Sequence, residues 1–236
     1  MNGVDLDFHT RVDPHRRTSQ LADVILGGQD GVVNVLGVIL GVAAATESTR
    51  VVLAGGLAAA IAESLSMAAV AYTSRRAEQG LYESEVARER RHIERVPELE
   101  AEEIRDIYRG KGFEGELLEQ IVATITANKE VWLNVMLAEE LRLTPVDTRQ
   151  ALRAAFTVGM AALVGSLLPL VPFFVVPVTP ASWAATVIAA VTLFGVGAYK
   201  SITTVGHWLW AGIEMSAIGL TAAAAGWIVG LLFRVK

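Results

Sequence analysis

The chain has 236 residues, 53% of them hydrophobic, and a mean hydropathy of +0.44, which is too apolar for one soluble domain and indicates a polytopic membrane protein. It contains no cysteine, which excludes disulfides, zinc-cysteine sites and iron-sulfur clusters. The net charge is −5, but 17 of the 25 acidic residues fall between Ser74 and Gln150, against 12 Lys and Arg, so acid is concentrated in one water-facing block.

Residues 1–22 read as a polar leader with Arg11, Arg16 and Arg17 close to the membrane. With no apolar core to this leader, no cleavable signal is expected, and the first span serves as its own insertion signal. Two apolar runs follow, 24–46 and 51–72, separated by a short polar turn and together forming a first membrane segment over 23–73. Each is near the ~20 residues needed to cross ~30 Å of hydrocarbon, and each contains an acid. A charge at membrane depth costs from about 2.5 kcal/mol upward and is seldom kept without a role, so Asp30 and Glu63 are functional candidates on position alone. Helical periodicity puts Asp30, Asn34, Gly37 and Gly41 on one stripe and Glu63 with Met67 on one face of the second span. Gly37 and Gly41 would also admit a closely packed neighbour. Carboxylates and an amide suit hard or borderline divalent cations, and a thioether favours Fe²⁺ or its neighbours over Mg²⁺ and Ca²⁺. The plainer alternatives are packing for Met67 and buried hydrogen-bonded acids that only fix helix contacts.

The block 74–150 reads as three helices: 75–95, Glu98 to Arg109, and Glu114 to Leu143 with an apolar face of Leu117, Ile121, Val122 and Ile125. Such charge-rich helices are often only solvated surface, but three spacings suggest more. Glu85, Glu89 and His92 share one face, Glu100 and Glu103 another, and Met136 with Glu140 a third, in the manner of helix-built carboxylate sites. Glu89-x-x-His92 is similar to the Glu-x-x-His element of ferritin-like di-iron proteins. It occurs once, which argues against a four-helix di-iron centre within one chain.

Three further apolar runs, 152–176, 181–199 and 208–233, complete five spans, the last three within 151–236. Pro169 and Pro172 should break or kink the third and free its carbonyls, and Gly226 with Gly230 form a second close-packing stripe, for this chain or a partner. Arg75, Arg76, Arg149, Arg153 and Lys200 join the leader arginines on one side. The other side has Arg50, Arg234 and Lys236, so the N-terminus and the acidic block are expected in the cytoplasm. Glu214, in the last span, reads either as a structural acid paired with Lys200 or His207 or as a proton carrier.

Taken together, Asp23-Val-Ile-Leu-Gly-Gly-Gln-Asp30-Gly-Val-Val-Asn34, Glu63-Ser-Leu-Ser-Met67, Pro97-Glu-Leu-Glu100-Ala-Glu-Glu103, Lys111-Gly-Phe113, Met136-x-x-x-Glu140, Gly165 to Pro172 and Gly212-Ile-Glu-Met215 make the chain resemble the vacuolar iron transporter family. The resemblance implies an all-α homodimer of five-span subunits with a cytoplasmic metal-binding insert between spans 2 and 3. It further implies exchange of cytosolic Fe²⁺, and often Mn²⁺ or related ions such as Co²⁺ and Zn²⁺, for protons from the far side. Asp30 and Met67 then line the ion path with Glu63 facing it, and Glu89, His92, Glu100, Glu103, Met136 and Glu140 bind metal in the insert. His92 departs from the pattern, where a Glu is expected. The reading is of a transporter, not an enzyme. It needs no prosthetic group and no nucleic acid, and it sits in a lipid bilayer, taken as a prokaryotic plasma membrane with an organelle or vacuole membrane as the alternative. Rival readings are a Mn²⁺-selective exporter and a membrane-anchored di-iron oxidase or metal sensor.

Overall fold

A computed structural model describes residues 19–145, 148–203 and 206–234. Most of the leader, including Arg11, Arg16 and Arg17, and the terminal Lys236 lie outside the described residues. The regular structure of the described residues is all helical: α1 Ser19–Ala45, α2 Thr49–Arg95, α3 Pro97–Gly110, α4 Gly115–Thr126, α5 Lys129–Val135, α6 Thr148–Leu167, α7 Val178–Thr203 and α8 Trp208–Leu232. Among the described residues, five stretches are long and apolar enough to cross a membrane: Leu21–Ala45, the apolar part of α2, Arg149–Phe174, α7 and α8. Exposed Trp183 and Trp227 near one end of α7 and α8, and Tyr199, Trp208 and Trp210 near the other, place amphipathic rings at both ends of these spans. The chain divides into two compact units, Tyr72–Leu152 and the spans that precede and follow it.

In the membrane unit α1 is the central element. Val32, Val35, Leu36 and Ile39 are fully buried against Leu170 and Phe173, and the same core takes in Ala181, Ala185, Ala189 and Leu193 of α7 and Met215 and Ala223 of α8. The α7 positions recur every four residues, so one stripe of small side chains faces inward. Close approach on both flanks of α1 depends on glycine. A Cβ on Gly41 would stand 2.8 Å from the carbonyl oxygen of Gly226, and Cβ atoms on Gly226 and Gly230 would overlap the carbonyls of Gly37 and Gly41. The two stripes read separately from the sequence are thus each other's partner within one chain. On the other flank, Gly27 and Gly31 lie against the carbonyls of Val158 and Ala162 of α6, and Gly165 against that of Gly28. Without a hydrophobic driving force between helices in lipid, such backbone-to-backbone packing supplies much of the association.

Several expectations are corrected. The second span and the first helix of the acidic block are one helix, α2, because Thr73-Ser-Arg-Arg76 contains no breaker and Gly80 alone does not end a helix of 47 residues. Pro169 and Pro172 do end the α-helix, at Leu167, but the chain continues as a 3₁₀ turn, Leu168–Phe174, rather than leaving carbonyls open. The Pro172 carbonyl accepts from the backbone N–H of both Val175 and Val176. The third helix expected in the acidic block is divided. Its first part, α4, stops at Thr126, and Asn128 starts α5 by accepting hydrogen bonds from the N–H groups of Glu130 and Val131 through its side chain. A π-helical turn, Met136–Glu140, then ends the segment, closed by the Leu141 N–H donating to the Met136 carbonyl at 3.2 Å. The apolar face of α4 keeps Val122 and Ile125, with Ile121 packed against the same core, but takes Leu118 in place of the expected Leu117, which is exposed.

The glycine contacts yield a mutational contrast. Gly226→Ala is expected to destabilise the membrane unit by about 1–3 kcal/mol, since the new methyl has rigid backbone in front of it. Gly195→Ala, whose Cβ meets nothing within 4 Å, should be neutral or slightly stabilising. Thermal unfolding of the two variants in detergent, side by side with wild type, checks the difference.

Candidate metal sites

Two clusters of acids emerge, one in each unit. In the membrane unit, Glu63 of α2 has its carboxyl against those of Asp30 and the side-chain amide of Asn34 on α1. Asp30 and Glu63 are both half-buried and Asn34 is exposed. Met67 stands one turn beyond Glu63 and is also half-buried. Three oxygen-bearing side chains on two adjacent helices therefore meet at one point within the apolar spans. Gly37 and Gly41, on the same stripe as Asp30, face α8 instead, where they and Asn34 line a cleft of about 510 Å³.

In the other unit, Glu89 and His92 come from the last turns of α2 and Glu100 from the first turn of α3. Val96 and Pro97 turn the chain between them, and the proline occupies a first-turn position where its missing N–H is no loss. One ligand atom from each of Glu89, His92 and Glu100 lies within 4.8 Å of the others. His92 Nδ1 stands 3.4 Å from Glu100 Oε1. Glu89 and Glu100 are almost fully buried, at 5% and 2% exposure, yet Glu89 Oε1 and Glu100 Oε2 have no hydrogen-bond partner. Buried polar atoms are nearly always paired, and a carboxylate oxygen left without a donor is a place for a cation. The donor set of carboxylate oxygen and imidazole nitrogen suits Fe²⁺, Mn²⁺, Co²⁺ or Zn²⁺.

Burial, the hydrogen bond with Glu89 and the charges of Glu89, Glu103 and Glu140 together push Glu100 up to about 8. Glu140 is raised as well, by desolvation first and then by Glu103 and Glu89, with His92 opposing. Electrostatics thus joins Glu103 and Glu140 to the three clustered residues. Met136 is completely buried in the apolar core beside Ile93 and Ile104, each the sequence neighbour of a clustered residue. Glu85, which shares the helical face of Glu89, is instead engaged by Arg88 at 2.9 Å.

Asn34, which the four-residue spacing puts on the stripe of Asp30, has its amide at Glu63 beside that acid. The π turn carrying Met136 and Glu140 had no signal in the sequence. Glu214 lines a polar cavity of about 460 Å³ together with Gln29, Lys200, Ser201 and His207, so both partners expected for it border the same space.

The raised Glu100 fixes a pH dependence. The folded state holds this proton more tightly than the unfolded chain, so the metal-free fold loses stability as pH rises from the ordinary carboxylate range through about 8. A divalent cation must displace the proton, so its apparent affinity should rise over the same window and level off above it. Calorimetric titration of Mn²⁺ at several pH values, with buffers of different ionisation enthalpy to count released protons, is expected to show this rise, and Glu100→Gln should flatten it.

The family model described as the VIT family matches residues 21–231. Vacuolar iron transporter 1 of Arabidopsis thaliana is 32% identical over 222 residues, covering 93% of this chain and 88% of the relative. Vacuolar iron transporter 2 of Oryza sativa subsp. japonica is 33% identical over 194 residues, covering 80% of this chain and 78% of that one. Protein CCC1 of Saccharomyces cerevisiae is 28% identical over 233 residues, covering 95% of this chain and 71% of its own. With a match that runs through all five apolar stretches and the acidic block, the chain belongs to the VIT family, a family of membrane transporters and not of enzymes.

Proposed function

We propose that the chain exports Fe²⁺, with Mn²⁺ and related ions as further cargo, from the cytoplasm across its membrane in exchange for protons, and that it works as a homodimer with the acidic block on the cytoplasmic side. The observation that carries this reading is the contact of Glu63 with Asp30 and Asn34 inside the apolar spans. Two carboxylates held together at membrane depth repel each other unless a divalent cation or a proton lies between them. Exchange of one for the other at the same oxygens is the simplest chemistry of an antiporter. Acid on the far side releases the ion by protonating its ligands, and the neutral cytoplasmic side favours reloading. Met67, one turn along α2, is assigned to the same path as a soft ligand that tolerates Fe²⁺ better than Mg²⁺.

The homodimer is supported by what the single chain leaves uncovered. Little of the apolar part of α2 is buried, with Ile61, Leu65 and Val70 exposed, and the half-buried Glu63 lies on this helix. A second copy covering this face would complete the enclosure of the ion path. The acidic block is assigned to ion capture: Glu89, His92, Glu100, Glu103, Met136 and Glu140 take the cation and deliver it to the membrane site. A membrane-anchored oxidase or sensor would need no acids in two adjacent spans, which weighs against it. Selectivity for Mn²⁺ alone has no feature in its favour, because both ions accept the same oxygen ligands.

Two variants separate the roles. In sealed vesicles with a metal-sensitive dye and an imposed pH gradient, Asp30→Ala should reduce Fe²⁺ and Mn²⁺ flux to that of protein-free vesicles, while the acidic block still binds metal. Wild-type flux in that variant would remove Asp30 from the path. Glu100→Ala combined with Glu103→Ala should lower the number of ions bound at equilibrium and slow transport at low metal, with transport at saturating metal partly retained. Elemental analysis of the purified variant gives the stoichiometry, and an unchanged value would return the acidic block to a solvated surface.

A further inference from the structure

Lys111-Gly-Phe113, which the proposed transport cycle leaves without a role, closes α3 and reaches the π turn that carries Glu140. Gly112 takes a φ of +93°, in the left-handed region that favours glycine, and the N–H groups of Lys111 and Phe113 both donate to the Tyr108 carbonyl, at 3.1 and 3.2 Å. This hairpin brings the Phe113 ring to 6.0 Å from that of Tyr108 and sets the Lys111 ammonium 5.0 Å from the Tyr108 ring centroid. The same ammonium lies 2.6 Å from Glu139 Oε2. Tyr108 and Glu139 thus hold one cation between α3 and the π turn, which belong to the same compact unit.

The π geometry makes that grip consequential. A π turn widens the helix and changes the angle between successive side chains, so the direction of Glu140 depends on how the turn is rotated about its axis. Beyond the turn the chain leaves the helix at once. Leu143 N–H donates to the Leu137 carbonyl at 2.8 Å, and Arg142 has a φ of +53°. Glu139 precedes Glu140 directly, so an anchor on one side chain limits the rotation available to the next. Glu140 in turn is coupled by charge to Glu103 and Glu89.

We propose that Lys111 is a positioning residue for the acidic metal site: by holding Glu139 to the end of α3 beside Tyr108, it fixes the π turn so that Glu140 faces Glu100 and Glu103. This rests on the capture role assigned to the acidic block. Lys111 and Glu139 are each 40% exposed, so the pair adds little to the overall stability of the unit. Its effect belongs in the affinity of the site, as for groups that orient metal ligands from outside the coordination sphere.

The test uses the full-length protein in detergent, with Asp30→Ala as background to remove the membrane acid, and Mn²⁺ alone as titrant. Lys111→Met is expected to weaken Mn²⁺ binding roughly tenfold with unchanged stoichiometry and with the melting temperature of the metal-free protein unmoved. Glu139→Gln should reproduce the effect. The exchange Lys111→Glu with Glu139→Lys should restore most of the affinity, which a general loss of folding would not allow. Unchanged affinity in both single variants, or an exchange variant as weak as they are, overturns the proposal. Glu100→Ala with Glu103→Ala, titrated in parallel, tells this failure from failure of the site itself. If the acid variant loses bound ions and Lys111→Met changes nothing, only the positioning role falls. If neither changes anything, the acidic block is not a metal site and the positioning role falls with it.

Discussion

Carboxyl groups are held against carboxyl groups in both units, Glu63 against Asp30 in the spans and Glu100 against Glu89 in the acidic block. Neither arrangement is a good way to stabilise a fold. Like charges at contact repel, burial removes the water that would screen them, and Glu89 and Glu100 each keep a buried oxygen without a donor. The repulsion is relieved by a proton or by a cation, and a site that accepts either can exchange one for the other. The rest of the structure serves to hold these acids together despite their mutual repulsion.

The two units meet that requirement with different materials. In the spans the force comes from helix packing so close that glycine is needed at the contact. Backbone carbonyls of Gly37 and Gly41 occupy the space where side chains of α8 would stand, and those of Val158 and Ala162 of α6 occupy the space where side chains at Gly27 and Gly31 of α1 would stand. Fixed on both flanks, α1 presents Asp30 and Asn34 to α2 with little freedom to turn away. In the acidic block an apolar core of Ile93, Ile104, Leu118, Val122, Trp132 and Met136 anchors the three segments that carry the acids. Surface ion pairs such as Arg105 with Glu119 and Glu102 and Arg109 with Asp106 use up charge at the periphery, while Glu100 is met by the imidazole of His92. Imidazole can serve as a metal ligand, which suits His92 to the capture role proposed for this block.

Much of this was legible in one dimension. A charge within some twenty apolar residues stands out because nothing in lipid compensates it, so Asp30 and Glu63 were identifiable from the run of residues alone. The helical repeat then gave each acid its face, and the spacings Glu89 to His92, Glu100 to Glu103 and Asp30 to Asn34 all survive in the structure. What the repeat misjudged were junctions and one position of a face. Asn128 divides one expected helix because a short amide side chain can cap a new helix start, and the face of α4 differs by one residue because Leu117 and Leu118 are equally apolar and only packing chooses between them.

The sequence by itself therefore determined the helical class, the spans, and which acids are too costly to be incidental, since each follows from the local price of a charge in hydrocarbon or from the period of a single helix. Only the tertiary structure decided that the Gly37 and Gly41 stripe meets the Gly226 and Gly230 stripe of the same chain, that Glu63 reaches Asp30, and that Glu89 and Glu100 converge across the turn at Pro97. Periodicity fixes the direction of a side chain about its own axis. The identity of what it faces depends on where the next helix is placed, and that is settled by the fit of many small contacts over distances no local pattern records.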